Sequence, residues 1–370
     1  MSSHPGLPSM PRVLVVSNMY PSAIDRRFGS FVADSVRAMR ALGADVQAVV
    51  SADPRKGALR GALKYTGLLV RTVAAAARGG YDVVHAHFLF PTGMVAALAS
   101  SFRRVPLIVF AHGSDVVLAT RGWPVGPLTR WVIRRADVVV APSEYLAGEI
   151  RTALGDPGAP VEICPMGVDI TVFRPGDRLA ARTDAGLTEE GRTVLFAGTL
   201  DANKGAGCEE LLAALDTPVL VDVWLIVVGE GPWRARLEEY GQMGTLGGRV
   251  EFRGFVKREA LAGLMRAVDV VAVPSRREAL GLVALEARSS GTPVVAAAVG
   301  GLVEHVEPGV SGELYEPGDT EGLRNALLAV LGEPGRYRPA LHADRYTLEG
   351  SARRLLALSA AAVERGGHTG

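Results

Sequence analysis

Short runs of β-branched residues alternate with Ala- and Leu-rich segments along most of the chain. In the first half, the runs predict strands at 13–16, 46–50, 83–87, 107–111, 138–141 and 161–164, and helices at 31–42, 57–77, 92–100 and 128–135. The second half repeats this pattern, with strands at 193–196, 223–228, 250–253, 270–273, 294–297 and 312–315, and helices at 209–215, 233–240, 258–267, 282–290 and 321–332. Continuously apolar strands separated by helices are typical of parallel sheets covered on both faces.

The repeated pattern predicts an α/β protein of two doubly wound, Rossmann-like domains that face a cleft. The length of 370 residues suits two domains. We place the first domain at 1–170 and the second at 171–345, with a linker over 167–184. A C-terminal helix and tail at 346–370 are expected to pack back on the first domain. Ligands of such sheets bind at the carboxyl ends of the strands, so the cleft is the expected site.

Composition excludes several classes of protein. Hydrophobic residues make up 48% and charged residues 21%, which is normal for a soluble globular protein and excludes a disordered one. The formal net charge of +1 argues against a nucleic-acid-binding protein. That total hides an asymmetry: residues 1–170 hold 18 basic and 12 acidic groups, a net of +6, whereas 171–370 hold 22 and 27, a net of −5. The two halves are therefore expected to have different electrostatic roles.

The expected location is the cytoplasm. Two cysteines cannot form a disulfide framework, residues 1–12 do not resemble a signal peptide, and no apolar stretch is long enough to span a membrane. One segment qualifies this expectation. Residues 57–80 carry four basic side chains among Leu, Val and Ala, which is the pattern of a basic amphipathic helix. An ordinary domain helix with solvated arginines is the simpler interpretation, and peripheral contact with the inner face of the membrane is the alternative.

The segment 274–295 carries the clearest chemical pattern. Glu278 is predicted in a loop after a buried strand, and Glu286, eight residues later, lies in the following helix. A carboxylate can accept two hydrogen bonds from a vicinal diol such as ribose, and it can also hold sugar hydroxyls. A solvated loop residue and a helix-surface residue are the ordinary alternatives for these two glutamates.

The residues between the two glutamates suit a phosphate. Gly281, Leu282 and Val283 are predicted to form the N-terminus of the helix, where backbone N–H groups lack helical partners and the helix dipole attracts an anion. Glycine at position 281 removes the Cβ that would block a close approach. In chain order the segment therefore favours sugar hydroxyls, a diphosphate and a ribose.

This segment resembles the E-x7-E signature of family 4, a large family of retaining glycosyltransferases with the GT-B fold. Further motifs agree in the same order: Tyr20–Ser22 with Phe28–Val32, Ala111–Asp115, Ser143, Pro165–Asp169, Gly229–Pro232 and Gly300–Glu304. The opening motif is similar to that of polysaccharide-assembly members, including teichuronic-acid-type transferases. The resemblance spans roughly residues 12–335.

The resemblance implies retaining transfer of a hexose-type sugar from a nucleoside-diphosphate sugar of the UDP or GDP type to an acceptor hydroxyl, without a cofactor or metal. It assigns catalysis to His112, Lys204 and Glu278. It assigns the acceptor to Gly29, His87 and His112. It assigns the donor to Gly29, Thr199, Lys204, Gly254, Val256, Glu278, Gly281, Leu282, Val283 and Glu286.

Thr199 departs from the family pattern. Members usually carry an arginine there, which helps to neutralise the diphosphate, and its loss removes a bidentate cation. Lys204 is retained. Arg276 and Arg277, beside Glu278, are candidates to replace the missing charge, and solvated loop arginines are the alternative.

Two histidines invite another interpretation. His85 and His87 share one face of a predicted strand and could suggest zinc, but no further ligand has a fitting spacing. His87 lies near the carboxyl end of that strand, where an acceptor would bind. We therefore expect no metal site.

Two other functional classes are weaker. A dinucleotide-dependent oxidoreductase requires G-x-G-x-x-G after a strand, and the segment 229–234 has Arg234 at the last position. A non-catalytic sugar-nucleotide-binding protein remains an alternative because of Thr199. For the acceptor we favour a lipid-linked or cell-surface glycan, with a soluble small molecule in natural-product biosynthesis as the alternative.

Overall fold

The computed structural model describes residues 10–26, 28–53, 55, 57–120, 122–156, 158–333, 335–340 and 344–367. The chain forms two compact units. The first unit comprises 1–167 and 344–370, and the second comprises 168–343. The predicted tail at 368–370 lies outside the described residues.

The first unit is a six-stranded parallel sheet with helices between the strands. Its strands are β1 (Val13–Ser17), β2 (Val46–Val50), β3 (Val83–His87), β4 (Leu107–Phe110), β5 (Val138–Ala141) and β6 (Val161–Ile163). Its helices are α1 (Ser30–Ala41), α2 (Ala58–Arg78), α3 (Thr92–Arg103), α4 (Ser114–Ala119), α5 (Val125–Arg135), α6 (Glu144–Leu154) and α13 (Leu348–Gly367).

The second unit repeats this architecture. Its strands are β7 (Arg192–Ala197), β8 (Val223–Val228), β9 (Val250–Gly254), β10 (Val270–Val273), β11 (Val294–Ala297) and β12 (Gly312–Tyr315). Its helices are α7 (Arg178–Ala185), α8 (Lys204–Leu215), α9 (Arg234–Tyr240), α10 (Arg258–Ala267), α11 (Leu282–Ser289) and α12 (Thr320–Gly332).

Both predicted sheets are confirmed. Strands such as β4 and β10 are buried along their whole length, because helices cover both faces of each parallel sheet. The strand orders are β2-β1-β3-β4-β5-β6 and β12-β11-β10-β7-β8-β9, and neighbouring strands in both sheets run parallel. Each sheet reverses its winding direction once, between β1 and β3 in the first and between β7 and β10 in the second.

The predicted linker at 167–184 is wrong in its second half, where α7 begins. Asp177 caps this helix by accepting a hydrogen bond from the N–H of Ala180 at 3.0 Å, and Gly186 ends it at φ 72°. These are ordinary helix start and stop signals. Two more helices, α4 and α6, were not predicted, and α8 begins at Lys204, five residues before its predicted start.

The C-terminal helix α13 belongs to the core of the first unit. It packs against α1, and Ala352, Leu355 and Ala362 are buried in the same cluster as Val13 and Val36. Ser359 on this helix is fully buried and lies 2.8 Å from Nε2 of His85 on β3. The first unit is therefore closed by residues from both ends of the chain.

Candidate active site

The reversal in the second sheet brings two predicted motifs together. The chain leaves β7 and β10 in opposite directions, so the loops after these neighbouring strands flank a crevice at their carboxyl ends. The first loop leads to Lys204, and the second contains Glu278. Residues 74 positions apart in sequence thereby become neighbours.

Lys204 and Glu278 form an ion pair. Nζ of Lys204 lies 3.4 Å from Oε2 of Glu278, and the same oxygen accepts a hydrogen bond from Oγ of Ser275 at 3.3 Å. Both side chains are partly exposed, at 27% for Lys204 and 16% for Glu278. The pair is therefore held in place and still open to a ligand that brings its own anion and hydroxyl groups.

Asn203 joins the two loops and was missed in the sequence. Its side-chain amide donates to the carbonyl of Arg277 at 3.0 Å and accepts from the N–H of Arg277 at 2.9 Å. Asn203 directly precedes Lys204, and Arg277 directly precedes Glu278. The two hydrogen bonds thus fix the backbone of one loop against the other. No sequence motif could have found this contact, because any polar residue can stand before a lysine.

The N-terminus of α11 faces the same crevice edge. Gly281 has φ 88°, and a Cβ there would lie 2.4 Å from Cδ2 of Leu302. The first bonds within the helix are donated by Ala284 and Leu285 to the carbonyl of Gly281, so the N–H groups of Leu282 and Val283 precede them. Both of these residues are partly buried. This is the geometry of an anion site at a helix N-terminus.

The glycine pair after β11 supports the Glu278 loop from behind. The N–H of Gly301 donates to the carbonyl of Glu278 at 3.1 Å, and a Cβ at Gly300 would overlap that same carbonyl. The ring of His305 donates from Nε2 to the carbonyl of Leu280 at 2.6 Å. The Gly300–Glu304 element, which resembles the GG…E motif of the family, therefore supports the backbone of the Glu278 loop.

Thr199 lies beside a carboxylate. Its hydroxyl donates to Asp201 at 3.0 Å, and the other oxygen of Asp201 accepts the N–H groups of Asn203 and Lys204. These backbone bonds and the Thr199 hydroxyl outweigh desolvation and keep the pKa of Asp201 below its ordinary value. Where family members carry an arginine, this chain therefore has a hydroxyl and a nearby negative charge.

The remaining donor candidates lie around the same sheet edge. Gly254 ends β9 at φ 61°, and its carbonyl accepts the N–H of Gly229 at 2.8 Å. Val256 follows it and is partly buried. Glu286 lies in the second turn of α11 with 8% of its surface exposed.

In the first unit, the reversal lies between β1 and β3. Gly29 follows β1 and is the N-cap of α1 at φ 72°. A Cβ there would lie 2.5 Å from the carbonyl carbon of Met19, so only glycine fits this close approach. The loop after β3 begins with Phe88.

His112 lies within a cluster of rings at this edge. Its ring centroid is 4.8 Å from that of Phe31 and 4.5 Å from that of Phe88. Its Nε2 lies 3.2 Å from Nδ1 of His87, which stacks on Phe110 at 4.5 Å. Burial lowers the pKa of His112 to about 3, and it lowers the pKa of His87 well below the ordinary value. Both rings are therefore neutral at pH 7, and one donates to the other.

His85 and His87 on β3 are almost fully buried, which leaves little surface for direct contact with a ligand. His87 is 3% exposed and lies behind His112. His85 is fully buried against Ser359, and burial lowers its pKa to about 3. Within the described residues, no group of three or more His, Cys, Asp or Glu side chains is arranged to hold a metal ion.

Asp115 connects the loops on which these rings lie. Its carboxylate accepts the N–H of His112 at 3.0 Å and the N–H of Leu89 at 2.9 Å. It lies in the first turn of α4, whose N-cap is Gly113. Burial raises the pKa of Asp115. The side chain thus holds the segments after β3 and β4 together.

A polar group next to Gly29 was not predicted. Nζ of Lys64 lies 5.0 Å from the ring centroid of Phe28 and donates to the carbonyl of Asp53 at 3.2 Å. The adjacent Tyr65 hydroxyl accepts from Nδ2 of Asn18 at 2.9 Å, and the buried Oδ1 of Asn18 has no hydrogen-bond partner within the described residues. Desolvation lowers the pKa of Lys64. These residues come from three segments at the carboxyl ends of β1 and β2.

Two family models match the chain. Residues 28–172 match the Glycosyltransferase Family 4 model, and residues 177–343 match the model of glycosyl transferases group 1. The first match covers β2 to β6 of the first sheet and begins after β1, and the second covers all six strands of the second sheet.

Curated relatives agree with these matches. D-inositol 3-phosphate glycosyltransferase 1 of Catenulispora acidiphila is 35% identical over 350 residues, which cover 88% of this chain and 82% of the relative. D-inositol 3-phosphate glycosyltransferase of Mycolicibacterium vanbaalenii is 36% identical over 292 residues, which cover 72% and 64%.

Solved structures share the fold. Sucrose-phosphate synthase from Thermosynechococcus elongatus superposes with a TM-score of 0.72 at 25% identity, covering 97% of this chain and 98% of the other. Anabaena HepE in complex with UDP-glucose gives 0.71 at 22% identity, covering 97% and 99%. The chain therefore belongs to glycosyltransferase family 4, has the GT-B fold and is a sugar-transferring enzyme.

Proposed function

We propose that the enzyme transfers a hexose-type sugar, with retention of configuration, from a nucleoside-diphosphate sugar to a hydroxyl of a small, soluble, anionic acceptor. The observation that carries the donor assignment is the Lys204–Glu278 pair beside the open N-terminus of α11. A cation, free backbone N–H groups and a carboxylate within one crevice edge match a diphosphate attached to a sugar.

The residues have distinct roles in this proposal. Lys204 and the N–H groups of Leu282 and Val283 stabilise the negative charge that develops on the departing diphosphate. Glu278 accepts hydrogen bonds from the sugar hydroxyls, and Glu286 accepts from the ribose diol. His112, neutral at pH 7, hydrogen-bonds the transferred sugar or the acceptor, while His87 acts through His112 because it is itself buried.

The bond changes balance without a protein base. The acceptor oxygen forms a bond to the anomeric carbon on the face from which the diphosphate departs. The bond between that carbon and the diphosphate oxygen breaks, and this oxygen takes the acceptor's proton. The product is the glycoside, and the leaving group is the nucleoside diphosphate.

Two observations support an anionic soluble acceptor. Relatives 35% and 36% identical to this chain are named for D-inositol 3-phosphate, a phosphorylated cyclitol. In this chain, the half-buried Lys64 ammonium and the unpartnered Oδ1 of Asn18 lie next to the Gly29 loop. A phosphate on Lys64 and a hydroxyl on Asn18 would satisfy both groups.

The lipid-linked or cell-surface glycan favoured from the sequence is only the second candidate acceptor, because the curated relatives are named for a small phosphorylated cyclitol. The observation that favours it is the basic and apolar outer surface of three helices in the first unit, described below. Both candidates leave the donor assignment unchanged.

The test is a transfer assay with UDP-, GDP- and dTDP-sugars, beginning with UDP-glucose because a structural neighbour is known in complex with it. The acceptors are D-inositol 3-phosphate, myo-inositol and a polyprenyl-diphosphate-linked saccharide, and NMR of the product reports the anomeric configuration. We expect transfer with retention and a preference for the phosphorylated acceptor. An inverted product, or neither donor hydrolysis nor transfer with any donor, would contradict the proposal.

A further inference from the structure

Three helices of the first unit contain no acidic residue. These are α2, α3 and α5, which together carry eight Arg and Lys side chains: Arg60, Lys64, Arg71, Arg78, Arg103, Arg130, Arg134 and Arg135. By contrast, α6 and α13 carry two glutamates each. The difference distinguishes one set of helices within the unit.

The acid-free helices are neighbours. α2 packs against α3, and α3 packs against α5. Arg135 on α5 donates to Oγ of Ser101 on α3 at 2.5 Å. The helices α1 and α13 pack against each other in a separate pair. We call the outward side of α2, α3 and α5 the basic face.

Large apolar side chains lie exposed among these charges. Leu63 and Val70 on α2 are 65% and 62% exposed, Phe102 on α3 is 70% exposed, and Trp131 on α5 is 39% exposed. Val73 and Leu98 are also exposed. Exposed apolar residues are common singly, but a group on adjacent helices indicates an interaction surface.

The strands and loops between these helices contribute few acidic groups that could neutralise the basic face. Residues 57–135 contain ten Lys and Arg and two Asp, a net of +8. Asp82 is bound by Arg12, and Asp115 is buried with its carboxylate on backbone N–H groups. Other acidic neighbours are Asp53, which interacts with Lys64 and Arg60, and Glu144 and Glu149 on α6, which packs against α5. The eight basic side chains of the basic face outnumber these three carboxylates, so a net positive charge is available to an external anion.

We propose that the basic face docks on an anionic lipid bilayer. Arginines attract acidic headgroups, and the interleaved Leu, Val, Phe and Trp side chains enter the boundary between headgroups and acyl chains. Two weak signals together give stable yet reversible binding. No helix in the described part of the chain has the length and hydropathy to cross a bilayer, so the contact is peripheral.

The apolar side chains favour a bilayer over other anionic partners. A nucleic-acid surface would use arginines on phosphates with aromatic side chains on bases, and it would leave exposed Leu and Val residues without a role. An acidic protein would need a matching apolar groove. A bilayer accommodates scattered apolar side chains on three helices without a specific shape.

The test is sedimentation of the full chain with vesicles of phosphatidylcholine alone or containing about a third phosphatidylglycerol. We expect most of the protein to pellet with the anionic vesicles and to remain in the supernatant with neutral ones. Raising the salt concentration should weaken the binding, because salt screens the headgroup charge. Protein that stays in the supernatant with both kinds of vesicle overturns the proposal, including the case in which an acidic protein is the real partner.

Two variants localise the surface. The triple variant Arg71→Gln, Arg103→Gln, Arg134→Gln should lower the bound fraction at least fivefold. The double variant Leu63→Ser, Phe102→Ser should abolish the binding that survives at high salt. All five side chains are exposed, so folding should be preserved, and a melting curve checks this.

The matched control changes the same charge elsewhere. The triple variant Arg151→Gln, Arg174→Gln, Arg365→Gln alters exposed arginines outside the basic face. It should pellet like the natural chain. An equal loss of binding in this control would show attraction by net charge alone and would also overturn the proposal. Transfer to a soluble acceptor is not used in this test, so its outcome is independent of the proposed function.

Discussion

The two units share one architecture but build their site edges from opposite kinds of side chain. The second unit places an ion pair, Lys204 and Glu278, beside a helix N-terminus. The first unit places neutral histidines, His87 and His112, among aromatic rings. Both arrangements occur where the sheet reverses its winding direction.

This difference follows from what each edge is proposed to handle. A diphosphate leaving group gains negative charge, so cations and N–H dipoles act on it strongly. Sugar and acceptor hydroxyls are neutral and need oriented donors and acceptors in a partly dry environment. A charged imidazole would be costly among Phe31, Phe88 and Phe110, and burial accordingly keeps these histidines neutral.

The largest loss of activity should come from changing the Lys204–Glu278 pair, which we call the ionic edge of the second unit. Lys204→Ala should lower kcat by about 10²–10³, the usual loss when one group that stabilises a developing oxyanion is removed. Glu278→Gln should lower kcat/KM on a similar scale, because its carboxylate holds the sugar. The control Glu239→Gln changes an exposed glutamate on α9 and should have no effect. Near-normal turnover of both site variants would show that Lys204 and Glu278 do not bind the donor.

A smaller loss of activity is expected when Lys204 and Glu278 are both present but are no longer held in position. Asn203→Ala removes both hydrogen bonds to Arg277 and should lower kcat on the order of tenfold to a hundredfold. KM for the donor should change much less, because the binding groups remain. Asn325→Ala on the exposed surface of α12 is the matched control. If Asn203→Ala lowers the melting temperature but leaves kcat unchanged, the role of Asn203 is purely structural.

Acid should weaken the first unit before the second. The folded state keeps His85 neutral with a pKa of about 3, whereas the unfolded chain binds a proton near pH 6.5, so stability falls as the pH falls below that value. His85 alone should cost about 2 kcal/mol at pH 5. His87 and His112 add to this loss, while the raised pKa of Asp115 opposes it.

Hydrogen exchange measured by mass spectrometry at pH 7 and pH 5 separates the units. After correction for intrinsic exchange rates, β3 should lose protection at pH 5 more than β7 does. His85→Gln should reduce this acid sensitivity. Equal losses in both strands would show that buried histidines do not distinguish the units.

The smallest effect concerns the acceptor. Lys64→Gln should raise KM for D-inositol 3-phosphate about tenfold, equivalent to about 1.4 kcal/mol, and should leave KM for the donor unchanged. Arg71→Gln, on the same helix, is the control. If the natural enzyme uses myo-inositol as well as its phosphate, or if Lys64→Gln affects both acceptors equally, Lys64 is not a phosphate contact.

The sequence predicted the strands closely because a buried parallel strand is apolar on both faces. Seven strands have the predicted bounds, namely β2, β3, β5, β8, β10, β11 and β12, and in the other five no end differs by more than one residue. Short helices such as α7 were missed, since eight residues hold too few apolar positions to show a helical period. The capping residues of α7, Asp177 and Gly186, were the sequence signal that could have revealed this helix.

The site was predictable only where one segment contains it. Glu278, Gly281 and Glu286 form a local motif whose spacing follows from a strand, a loop and a helix. Asn203 and Lys64 were missed because their partners lie in other segments, as with Asn203 and Arg277. Contacts of this kind depend on strand order, which the hydrophobic pattern does not encode.

Hydrophobic periodicity and local motifs were thus sufficient for the two sheets, the family resemblance and the local motif of Glu278, Gly281 and Glu286, since these depend on residues close together in the chain. Folding established which loops meet, that His87 lies behind His112, and that α13 completes the first unit. It also placed α2, α3 and α5 side by side, so that three separate basic segments form one face. The physical reason is that side-chain burial and charge density arise from packing between distant segments.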